Sequence, residues 1–118
     1  MSVVLALAMI GLARPPGAYV TTGSAKVPLA ISSWCWGLKC GAPIASSSKA
    51  VVVRRGATIR AELGFTPTKV TVAVVGRRVT ASAHGREITW RATRAGGLTL
   101  RVANAHGWVI YVGRVKLR

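Results

Sequence analysis

The sequence predicts an all-β domain, an antiparallel immunoglobulin-like β-sandwich of about seven short strands. Three observations carry that expectation. Apolar and polar residues alternate at period two along most of the chain beyond residue 25, as half-buried strands require. Turn-forming residues interrupt the alternation roughly every 8–12 residues. No stretch beyond the N-terminal apolar run holds a helical period long enough to make a helix. A small closed barrel of the OB type is the competing architecture.

The first element is "VVLALAMIGLA", Val3 to Ala13, an uninterrupted apolar run. It falls short of the ~20 residues that span a bilayer as a helix. It ends in small residues and meets Arg14, Pro15, Pro16 and Gly17, which stop a helix. The run reads as the core of an export signal. Only the initiator amine could serve as its basic n-region, so either the true start codon lies upstream or the run is a buried first strand or helix. No cysteine follows closely enough to accept a lipid. Arg14 to about Ala25 is rich in Pro, Gly, Ser and Thr, as a linker or processed segment would be. Residues 1–24 are therefore expected to be a signal-peptide-like segment and linker, and residues 25–118 the sandwich domain.

Within 25–118 the strands follow in order. Val27, Leu29 and Ile31 share a face, as do Ile59, Ala61 and Leu63. Val70, Val72 and Val74 alternate with Lys69, Thr71 and Ala73. Ile88, Trp90 and Ala92 alternate with Glu87, Thr89 and Arg91; Leu98, Leu100 and Val102 alternate with Thr99 and Arg101. Val109, Tyr111, Val115 and Leu117 face opposite Arg114 and Lys116. β-Branched residues enrich these runs. Arg55-Gly56, Gly64 to Pro67, Gly76, His84-Gly85, Ala95-Gly96-Gly97 and Asn104 to Gly107 supply the turns.

"SSWCWGLKCGAP", Ser32 to Pro43, holds both cysteines and two of the four tryptophans. Four residues separate Cys35 from Cys40, too many for a C-x-x-C redox motif. Gly37 lets so short a loop turn and close as a disulfide. In an exported chain the oxidised bridge is the default, worth on the order of 2 kcal/mol. A zinc site from Cys35, Cys40, His84 and His106 is the weaker alternative, because both histidines precede a Gly in expected turns and no metal spacing links them. Trp34 and Trp36 have the same parity and share a face. They are expected to roof the core, with stacking on a sugar or base as the functional alternative.

"SWCWGLKC", the Ser-rich loop after it, "VVVRRGATIRAEL" and "GGLTLRVANAHGWVIYVGRV" together resemble small exported proteins of Gram-positive bacteria. Those join an aromatic-Cys-Trp…Cys segment to an immunoglobulin-like sandwich. The likeness covers about Ser32 to Val115. It implies fold and an extracellular or cell-envelope compartment, and it transfers no catalytic residue.

Charge narrows the function classes. The chain carries 17 Lys plus Arg against 2 acidic residues, for a net charge of +15. The acidic residues are Glu62 and Glu87, and there is no Asp, so a Ser-His-Asp triad is excluded. Both Glu have outward parity among Arg residues, where ion pairing is expected ahead of a two-carboxylate glycosidase site. Separated Glu residues cannot cage calcium. "RAGGL", Arg94 to Leu98, lacks the Lys and following helix of a phosphate loop. No enzyme activity, metal or cofactor is implied. The expected partner is an anionic polymer or membrane surface, met electrostatically. Nucleic acid is the alternative, with Arg on phosphates and aromatics on bases. Arg77 and Arg78, projected by a turn at Gly76, are the candidate binding patch beside Trp34 and Trp36.

Overall fold

The structure, a computed structural model, describes residues 14–23, 25–46 and 49–118. The export-like run Val3 to Ala13 lies outside the described residues. The first strands are β1 (Ala18–Thr22), β2 (Ala25–Pro28), β3 (Ala30–Trp36), β4 (Lys39–Gly41), β5 (Val51–Val53) and β6 (Thr58–Leu63). They are followed by β7 (Lys69–Val74), β8 (Arg77–Val79), β9 (Ala81–His84), β10 (Glu87–Arg91), β11 (Gly96–Asn104) and β12 (Gly107–Leu117). Among the described residues there is no helix.

The strands build two packed sheets. One has five strands in the order β2-β1-β6-β10-β9; the other has seven, β4-β3-β12-β11-β7-β8 with β5 also on β12. Neither closes on itself, so the fold is a sandwich and the OB-type barrel does not form. The orders β1-β6-β10-β9 and β12-β11-β7-β8 match the ABED and GFCC′ sheets of an immunoglobulin sandwich. Every pairing is antiparallel except β5 with β12, which is parallel.

Among the described residues, twelve strands stand where about seven are expected. The additional ones are short: β4, β5 and β8 have three residues and β9 four, too few for alternation to register. β1 corrects the expectation of a linker before residue 25. Its Ala18 and Val20 are buried, and it pairs with both β2 and β6. The Pro and Gly residues that suggest a linker sit at its ends, Pro15 to Gly17 and Gly23, and leave five residues free to extend.

Alternation sends Ile59, Ala61, Ile88 and Trp90 of one sheet against Leu98, Leu100, Val102 and Val109 of the other, all buried. Burying each large side chain contributes roughly 1.5–3 kcal/mol. No charged side chain is buried among the described residues. The register of β3 against β12 slips between Ile110 and Tyr111, so that Ser33 faces Ile110 and Ile31 faces Tyr111. Ser32 is the extra residue of this bulge. Without it, Ile31 and Trp34 would point to opposite sides; with it, both enter the core.

Tyr111 is the largest fully buried side chain. Its hydroxyl donates to the Pro16 carbonyl at 2.6 Å and ties the entry to β1 onto the last strand. Burial pushes the phenol pKa well above its ordinary value, so it remains a neutral donor throughout the physiological range.

The β7–β8 hairpin turns through Val75 and Gly76, with φ of 52° and 73°. Positive φ at both central residues is the type I′ pattern, which favours Asn-Gly. A β-branched residue there is strained, at a cost on the order of 1–3 kcal/mol. Val75 is also exposed and gains little from burial. Val75→Asn is expected to raise stability by about 1 kcal/mol. A urea midpoint equal to or below that of the wild type would contradict this account of the turn.

Candidate functional site

The cysteine segment forms the β3–β4 hairpin. Gly37, with φ of 63°, takes the first central position as in a type II′ turn. Cys35 and Cys40 are directly opposed across the ladder and joined as a disulfide. The bridge fits a non-reducing environment. Trp34 faces Gly41 across the same ladder. A side chain at Gly41 would collide with its indole, so the glycine makes room for the ring. The indole N–H donates to the Ala42 carbonyl at 3.0 Å. Trp36 packs on Phe65, with ring centroids 4.9 Å apart, and beside His106 at 5.7 Å. Both tryptophans are buried. They roof the core, and neither offers an open ring face for stacking.

Arg77 and Arg78 are both exposed on β8. Arg77 pairs with Val74, whose side chain is buried, and Arg78 with Ala73. Strand alternation therefore sends them to opposite sides of the sheet. They do not converge as one patch. β8 is an edge strand, and charged residues there discourage pairing with another chain.

The two carboxylates lie together on the outer face of the five-stranded sheet, Glu62 opposite Glu87. Directly opposed like charges repel, and each is met by a cation. Lys26 Nζ is 3.7 Å from Glu62, and Arg60 Nε is 3.2 Å from Glu87. His84 is exposed on β9 and His106 at the β11–β12 turn. Among the described residues no three His, Cys, Asp or Glu side chains gather as a metal set.

The outer face of the seven-stranded sheet holds what the sequence reading leaves out. Lys69, Ala103, Trp108 and Cys35 lie in one row across β7, β11, β12 and β3. The next row holds Thr71, Arg101 and Ile110. Ala103 is the shortest of these side chains. Its neighbours stand above it and leave a groove of about 400 Å³, walled by Trp108, Lys69, Arg101, Thr71 and Ile110. Trp108 is 40% exposed, and the other three tryptophans are buried. Its position was readable, since it shares the parity of Arg114 and Lys116, opposite Val109 and Tyr111. Arg78 and Arg114 belong to the same face by register, opposite Ala73 and Gly97.

This arrangement can hold an anionic group against a flat apolar surface, with Arg101 and Lys69 as donors and the indole as platform. No protein-family model matches the chain, and no curated protein matches it at a significant level.

Iodide is drawn to positive surfaces and quenches only accessible indoles. Trp108→Phe should remove most of the iodide-quenchable emission and leave a blue-shifted spectrum. Undiminished quenching in that variant would place Trp34, Trp36 or Trp90 in solvent.

Proposed function

We propose that this is an exported, non-enzymatic β-sandwich module that associates electrostatically with anionic polymers of the cell envelope, chiefly through the outer face of its seven-stranded sheet. One observation carries the reading. Both Glu residues are committed to ion pairs on the other sheet. The cations around Trp108 therefore face solvent with no carboxylate side chain to compensate them. At a Debye length of about 8 Å in physiological salt, neighbouring cations on one face still act together on a long polyanion. The Cys35–Cys40 bridge supports an oxidising compartment. The likeness of Ser32 to Val115 to small exported Gram-positive proteins supports the same location. Against catalysis stands the acid inventory: there is no Asp, and each Glu already has a cation partner.

Two measurements test the reading. Binding to a teichoic-acid-like polyphosphodiester or another polyanion should be measurable at low salt and weaken by roughly tenfold or more at high salt, as counterion release dictates. No binding at low salt would end the proposal. Protein recovered from its native host should begin at about Arg14, after the small residues that close the apolar run, with a mass lower by two hydrogens than the reduced chain. A mature chain that keeps Val3 to Ala13 with two free thiols would overturn the export half of the reading.

A further inference from the structure

We infer that the groove over Ala103 is a binding site for a uronic-acid glycan, one pyranose ring lying against Trp108 with its own carboxylate on Arg101. The inference rests on the polyanion reading and narrows it to one polymer class and one place. Its geometry is set by the strand register. Trp108 pairs with Ala103, and Arg101 lies two residues further along the same strand. Trp108 and Arg101 are therefore diagonal neighbours, whose Cα atoms are about 7–8 Å apart in an antiparallel pair. A uronic acid carries its carboxylate on the ring itself. Both side chains wall the same groove, so one residue of such a glycan can cover the indole while its carboxylate meets the guanidinium rooted beside it. The planar guanidinium fork suits a carboxylate, which it can bind through two parallel hydrogen bonds. Lys69, at the far wall beyond Ala103, supplies a more mobile charge for the next unit.

Other polyanions fit less well. A polyphosphodiester places its charge in the linkage between units, so it need not present a ring face and an anion together. Single-stranded nucleic acid is usually held by several aromatic side chains, each taking a successive base. This face has one exposed Trp, Tyr or Phe; the other among the described residues, Tyr19, belongs to the opposite sheet. The walls also carry the Thr71 hydroxyl, which can donate to and accept from sugar hydroxyls.

The groove's shape separates this site from diffuse attraction. Ala103→Ile fills the floor at an outward strand position, where a β-branched residue is well tolerated, and leaves every charge in place. Trp108→Ala removes the platform, again without changing charge. An oligo-uronic acid, the neutral oligosaccharide of matching linkage, a polyphosphodiester and single-stranded DNA would be titrated by calorimetry at low and high salt. The full-length chain would be used with its disulfide intact. Both variants should lose about tenfold in affinity for the oligo-uronic acid and change by less than about twofold for the polyphosphodiester and DNA. Arg91→Gln, on the outer face of the five-stranded sheet, should leave uronate binding within about twofold. Oligo-uronic acid binding should also persist at high salt better than that of the other two polyanions.

Equal loss for all three polyanions, or none for the uronate in either variant, overturns the site while leaving the electrostatic reading intact. Preference for DNA that depends on Trp108 overturns it in favour of a nucleic-acid surface. Absence of binding to every polyanion at low salt overturns both. If Trp108→Ala fails to fold, Ala103→Ile decides the question alone, and unchanged uronate affinity there counts against the site.

Discussion

With 17 cationic side chains and only two carboxylates, the chain cannot neutralise its charge internally. A buried Lys or Arg needs a partner, or its desolvation costs several kcal/mol. Almost every cation must therefore stand in water, and the core must be purely apolar. That constraint produces the strict alternation of the long strands, because each Arg or Lys on β6, β10, β11 and β12 forces its neighbours inward. It also explains where the acids went. Glu62 and Glu87 sit opposite each other, and Lys26 and Arg60 hold both in place. Acidic side chains are confined to one spot on one sheet, and the charged side chains on the outer face of the other sheet are all cationic.

The same constraint decides what could be read from the sequence. Ile59 to Leu63, Ile88 to Ala92, Leu98 to Val102 and Val109 to Leu117 are legible because charged residues mark the outward positions. The short strands β4, β5 and β8 have no room for a period, and β1 hides between prolines and a glycine. The bulge at Ser32 is invisible in principle, since an inserted residue inverts the parity on which the reading depends. The tryptophan pair shows the consequence: shared facing is readable, but its direction relative to Ile31 is set by pairing with β12. Trp108 is the opposite case, with its outward parity plain and its neighbours unknown. Ala103, Arg101 and Lys69 meet it only through the register of three strands that are distant in sequence. A groove made by a small side chain among large ones is a property of the sheet, and no local motif records it.

The disulfide and the groove are neighbours by construction. Cys35 lies opposite Trp108 on β12 and opposite Cys40 on β4, so the bridge continues the row that forms the groove. On the inner side of the same hairpin, Trp34 over Gly41 and Trp36 on Phe65 fill the space beneath. The hairpin is thus pinned from both sides: covalently outside and by packing inside. The proposed Trp108 platform would benefit from that rigidity, because ordering loose side chains on binding costs affinity.

β12 follows the other eleven described strands along the chain, yet three of them are laid against it. β11 pairs along it from Gly107 to Val115, β3 on its earlier half and β5 on its later half. A chain emerging N-terminus first presents β3 and β5 long before their partner exists, so the seven-stranded sheet cannot assemble until β12 has emerged. Cys35 and Cys40, five positions apart, can meet at any time. Oxidation is therefore free to precede folding, while the sandwich itself waits.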